Sequence, residues 1–131
     1  MGNSMKQMSD RKFRIENMSK FMALKAVKSL IDHSETVKDM SGSHWRWVYP
    51  RDIARVSTLE EALSVWHWKP STDSGGNIID LICTIDKEGD DDILFHTIAP
   101  FVTSGSYIKV VINDRTITWN FQSGRCIKEI V

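Results

Sequence analysis

Two tight turns set between three alternating segments constrain this chain more than any other feature. Asn113-Asp114 separates Tyr107–Ile112 from Thr116–Phe121, and Ser123-Gly124 separates the latter from Cys126–Ile130. Each segment alternates apolar and polar residues with the period of two that a half-buried strand requires, and each break carries residues that tolerate a tight reversal. The expected product is an antiparallel three-strand meander. Such a sheet has one apolar face, which other elements must cover.

Three stretches offer helices for that purpose. Asn17 or Ser19 can cap a helix over Lys20–His33, in which Ala23, Leu24, Val27, Leu30 and Ile31 repeat at helical spacing while Lys20, Lys25 and Lys28 lie toward the other side. Ser57 or Thr58 followed by Glu60 and Glu61 has the form of an N-cap with acidic first-turn residues, which opens a short helix over Leu59–Trp66. A third helix starts near Asp91, carries Ile93, Leu94, Ile98 and Phe101, and reaches Pro100 in its last turn.

Further strands are expected between them. His44–Tyr49 follows the Ser41-Gly42-Ser43 break and stops at Pro50, with Trp45, Trp47 and Tyr49 on one face. A strand from Trp68 turns at Asp73–Asn77 into Ile78–Ile85, where strict alternation places Ile79, Leu81, Cys83 and Ile85 together. Residues 1–12 read as a flexible tail, because Gly2, Asn3, Ser4 and Ser9 favour turns and no apolar pattern begins before Phe13. The expected architecture is a single α+β domain over residues 13–131: an antiparallel or mixed sheet with a C-terminal three-strand meander, and two to three helices packed on one face.

The length of 131 residues suffices for a core without disulfide or metal staples. Two cysteines, Cys83 and Cys126, stand in apolar, strand-like surroundings and read as reduced thiols; they can bridge only if their strands are neighbours. No apolar run approaches bilayer length, and the first residues lack a secretory apolar segment. A cytoplasmic protein with no membrane partner is expected. The formal net charge is zero, yet residues 1–55 hold 11 Lys and Arg against 6 acids, while residues 56–131 hold 6 against 11. Either the basic half faces an acidic partner, or the two halves attract each other within the fold.

The stretch from Thr58 to Ile130 has a further distinctive order. A short acidic helix runs into a Trp-containing segment and a Gly-Asn hairpin, followed by Gly89-Asp90, Phe95, Ile98-Ala99-Pro100-Phe101-Val102, Gly105-Ser106-Tyr107-Ile108, and finally Trp119, Phe121 and Gly124. This resembles a module of small bacterial proteins, some carried by phages and mobile elements. The resemblance covers a little over half of the chain. It implies an accessory protein of that kind, and brings no activity and no catalytic residues with it.

Candidate functional residues concentrate in one region. Trp45, Trp47, Trp66 and Trp68, four of the five tryptophans, interleave with Arg46, Tyr49, Arg51 and Arg55. Aromatic rings beside arginines suit the hot spots of protein interfaces. They also suit stacking platforms for single-stranded nucleic acid, in which bases lie on rings and arginines hold phosphates. The third reading is the inward face of a strand, filling a small core. The acidic run Asp86, Glu88, Asp90, Asp91 and Asp92 lacks the spacing of a calcium loop and suits the start of a helix better than a metal site. Phosphate-cradling loops and nucleophile elbows are missing, the histidines His33, His44, His67 and His96 are scattered, and Glu60 and Glu61 point different ways on their helix. The expectation is a non-enzymatic module that binds a protein partner without cofactor or metal, with nucleic-acid binding as the alternative. Pairing of two copies through an edge strand such as Cys126–Ile130 offers a homodimer.

Overall fold

A computed structural model describes residues 6–41, 50–84 and 91–131, with side-chain surroundings for 6–30, 53–84 and 91–131. The chain is α+β. Its elements run β1 (Lys6–Lys12), α1 (Lys20–Ser41), α2 (Pro50–Arg55), α3 (Leu59–Val65), β2 (Trp68–Thr72), β3 (Ile78–Cys83), α4 (Asp91–Ile98), β4 (Ser106–Ile112), β5 (Arg115–Gln122) and β6 (Arg125–Ile130). One antiparallel sheet has the order β1-β4-β5-β6, and β2 and β3 form a separate hairpin.

The meander forms as the turns dictate. Ser123 and Gly124 take left-handed φ values of 51° and 80°, and Asn113 takes 58°. Such two-residue reversals match the right-handed twist of the strands they join. Along β4, Ser106, Ile108, Val110 and Ile112 are buried, and along β5 so are Ile117, Trp119 and Phe121. Their neighbours in sequence are only half-buried, so the helices cover one face of the sheet.

The fourth strand of this sheet comes from the segment expected to be a loose tail. Lys6–Lys12 pairs antiparallel with β4, from Lys6 opposite Ile112 to Lys12 opposite Tyr107, with Ser9 as the extra residue of a bulge. The sequence Lys-Gln-Met-Ser-Asp-Arg-Lys lacks an apolar alternation because an edge strand needs only half a face in the core. Charged residues and a bulge also suit an edge, where they discourage pairing with other chains. Residues 6–12 are therefore part of the sheet.

A second bulge corrects the reading of β3. Thr72 pairs with Ile78 and Ser71 with Asp80, so Ile79 has no partner opposite it. The bulge moves Ile78 onto the same side as Leu81, and both are fully buried. Ile79 and Ile82 face outward instead, 43% and 39% exposed. Strict alternation fails here because one inserted residue reverses the phase of all those before it.

The helices hold to their sequence signals. α1 buries Ala23, Leu24 and Val27 and extends beyond the expected end. α3 opens with a capping box: the Thr58 hydroxyl accepts from the Glu61 amide at 3.1 Å, and the Glu61 carboxylate accepts from the amides of Thr58 and Ser57. Pro50 opens α2, a position where its missing N–H costs nothing. The expected strand over His44–Tyr49 lies outside the described residues.

The uneven charge of the two halves works within the fold. Lys6 pairs with Asp91, Arg11 with Asp80 and Lys20 with Glu60, and each pair joins the basic first part to the acidic second.

Candidate functional site

Of the eight residues proposed from sequence as an Arg/Trp surface, four fall within the described residues. Trp45, Arg46, Trp47 and Tyr49 lie outside the described residues, and Arg51 stands in α2 with its side chain outside them. Arg55 is exposed at the end of α2. Trp66 and Trp68 are buried at 2% and 0% exposure. These two rings are core, and no base or partner side chain can stack on them without unfolding the region.

Trp68 belongs to an aromatic cluster over the sheet. Its ring lies 5.1 Å from Phe95 and 6.4 Å from Trp119, and Phe95 lies 4.9 Å from Trp119 and 5.8 Å from Phe121. The rings meet at steep angles, the edge-to-face geometry their quadrupoles favour. An indole carries one polar N–H that burial leaves in need of an acceptor.

The first two residues of α4 supply those acceptors. Asp91 accepts from Trp68 Nε1 at 2.8 Å and from Lys6 Nζ at 2.9 Å. Asp92 accepts from Trp119 Nε1 at 2.9 Å and from Lys128 Nζ at 2.9 Å. Each acid thus holds one indole and one ammonium, at a helix start where negative charge is favoured. The Lys6 ammonium also stands 5.0 Å from the Trp68 ring centroid. Burial opposes ionisation of Asp92, but the hydrogen bonds from Lys128 and Trp119 outweigh it and hold the carboxyl below the ordinary carboxylate range. Asp91 and Asp92 are therefore occupied by the protein's own cations. Among the described residues no group of three or more His, Cys, Asp or Glu is placed to hold a metal ion; Asp86, Glu88 and Asp90 lie outside them.

The thiols are not set up as nucleophiles. Burial raises the Cys83 thiol above its ordinary range and pushes Cys126 up to about 11. Cys83 is on β3 and Cys126 on β6, in separate sheets, and both are free. A protonated thiol is a poor nucleophile.

Two surface features remain. A shallow, open groove of about 450 Å³ runs between α2 and α3, lined by Arg55, Val56, Glu60, Glu61, Ser64 and Val65. Its acids are engaged in structure. Lys20 Nζ holds Glu60 at 2.5 Å, while the Ser57 and Thr58 amides hold Glu61 and keep its carboxyl below the usual range. The second feature is apolar. Met18, Phe21 and Met22 are 86%, 68% and 51% exposed where α1 begins, and Lys25 Nζ lies 5.8 Å from the Phe21 ring. The Lys20–Glu60 pair ties this helix start to the α3 side of the groove. The inward stripe of Ala23, Leu24 and Val27 dominates the sequence pattern of α1 and masks these three residues. The available signal was apolar side chains that fall off that stripe, with no buried role to fill.

Comparison with protein-family models, with curated proteins and with solved structures found no match. No helix among the described residues is long and apolar enough to cross a membrane.

Proposed function

We propose that this protein is a non-enzymatic interaction module whose partner is another protein, met at the start of α1. The observation that carries this reading is the group Met18, Phe21 and Met22, large apolar side chains exposed together at one end of a helix whose inner face is already packed. Contiguous exposed apolar groups mark places that a partner covers. Methionines suit such a surface because their unbranched side chains adapt to the shape they meet. Lys25 beside Phe21 and Arg55 across the Lys20–Glu60 pair add cations at the margin, which favours a partner with acidic side chains around an apolar centre. Burial of Trp66, Trp68 and Trp119 supports packing over base stacking for those rings, and so favours a protein over single-stranded nucleic acid. The resemblance of the C-terminal module to small bacterial and phage accessory proteins directs the search toward bacterial partners and a cytoplasmic setting.

The test compares proteins captured from a bacterial lysate by the wild type and by Phe21→Ala/Met22→Ala. Both positions are exposed, so the variant should keep the native circular dichroism. A discrete protein held by the wild type and lost by the variant supports the surface; identical captured sets refute it. Tryptophan fluorescence titrated with random single-stranded DNA and RNA at low salt serves as the competing arm. Salt-sensitive quenching there would overturn the protein-partner reading in favour of nucleic acid.

A further inference from the structure

The C-terminal strand offers a second, independent surface. β6 is the outer strand of its sheet, and among the described residues nothing pairs with its free edge. The direction of each backbone group on that edge follows from the β5–β6 ladder. Val131 and Thr116 exchange both amide bonds, at 2.9 and 3.0 Å. In an antiparallel ladder such pairs alternate, so Glu129, Ile127 and Arg125 also turn their N–H and C=O toward β5. Cys126, Lys128 and Ile130 turn theirs outward, to the open edge.

The side chains alternate in step with the backbone. Arg125, Ile127 and Glu129 share the solvent face and are exposed, Ile127 at 51%. Cys126 and Lys128 face the core side, where Lys128 is held by Asp92.

We infer that β6 pairs antiparallel with β6 of a second copy of this chain about a two-fold axis through Ile127. In that register Cys126 of one copy stands opposite Lys128 of the other. Both direct their backbone groups across the gap, so the two symmetric pairs close four hydrogen bonds. On the solvent face Ile127 meets its own counterpart, and Arg125 meets Glu129 on either side of it. The strand is thus its own complement: an apolar centre flanked by two opposite-charge pairs. Opposite charges across a ladder stabilise it, and like charges placed there do the reverse. Moving the axis to Lys128 would set two ammonium stems opposite each other and bring Ile127 against Glu129. An axis between residues would oppose outward backbone groups to inward ones. Only the Ile127 axis satisfies backbone, charge and apolar contact together. The result is one continuous eight-strand sheet with an isologous interface. Charges on an edge strand ordinarily keep copies apart; their order here selects one register instead. This surface shares no residue with Met18, Phe21 and Met22, so either proposal can fail without the other.

Sedimentation equilibrium over roughly 5–500 μM tests it, the range of small, low-affinity interfaces. The variants are Arg125→Glu, Glu129→Arg and the two combined. The wild type should show a monomer–dimer equilibrium. Each single change turns two attractive pairs into two repulsive ones and should raise the dimer Kd about tenfold or more. The combined variant restores opposite charges and should return to within about threefold of the wild type. A wild type that stays monomeric throughout overturns the inference. So does a dimer indifferent to the single changes, or a combined variant no better than either one.

Discussion

Replacing Asp91 by alanine should be among the most damaging single changes in this protein. The Asp91 side chain is 6% exposed and that of Lys6 0%, and the carboxylate also takes the indole N–H of Trp68 at 2.8 Å. Alanine leaves an ammonium and an indole donor inside the protein with their acceptor gone. Removing one partner of a buried ion pair costs about 3–5 kcal/mol, because the remaining charge keeps its desolvation penalty. The unfolding entropy of a chain of 131 residues is roughly 0.28 kcal/mol/K near its melting temperature. The loss therefore corresponds to a fall in Tm of about 11–18 °C. Thermal unfolding followed by near-ultraviolet circular dichroism reads this directly, since Trp68 sits in the affected cluster. The control is Lys6→Met/Asp91→Asn, which removes both charges yet keeps an acceptor for Trp68. It should recover more than half of the loss. A cost below about 1 kcal/mol for Asp91→Ala would refute the reasoning. A control as unstable as the single change would show that shape, not the charge pair, sets the stability there.

Three further outcomes are expected. Thr58→Ala removes the side-chain half of the capping box and should lower stability by about 1 kcal/mol in urea unfolding. Cys126, buried and with its thiol pushed up to about 11, should react with a disulfide reagent at pH 8 at least about tenfold more slowly than free cysteine, because a roughly hundredfold smaller thiolate fraction outweighs a more nucleophilic anion and burial restricts access; reagent absorbance in native and denatured protein measures this. Asp92 is held below the ordinary carboxylate range, so its contribution is complete above about pH 4 and lost as pH falls through its depressed native value. Lys128→Met removes an ion-pair partner of Asp92 and should flatten that part of the acid-unfolding curve.

Much of the fold was legible because its signals are local. The turns at Asn113-Asp114 and Ser123-Gly124, the capping box at Thr58 and the stripe of Ala23, Leu24 and Val27 each act within a few residues of themselves. What escaped was non-local. β1 has almost no apolar pattern of its own, and only β4, far along the chain, makes it a strand. The reversal of Ile78 and Ile79 depends on a bulge that no periodicity announces. Lys6 and Asp91 are 85 positions apart, and neither looks unusual alone. The tryptophan-arginine region shows the same limit from the functional side. Its composition fits a core, a protein interface or a stacking platform, and burial distinguishes them at Trp66 and Trp68.

The position of β1 in the sheet also bears on how the protein is made. β1 emerges from the ribosome about a hundred residues before β4, an interval of roughly 5–20 s at ordinary rates of synthesis. During that time it must neither aggregate nor pair wrongly, and its lysines, arginine and aspartate keep it soluble without a partner. The same polarity that hid it from a reading of the sequence lets it wait. Completion of the domain is then a late event: β1 docks on β4, and Lys6 reaches Asp91, only when nearly the whole chain is available. A nascent chain halted before Ser106 should hold Lys6–Lys12 open to protease, and one released at full length should protect them.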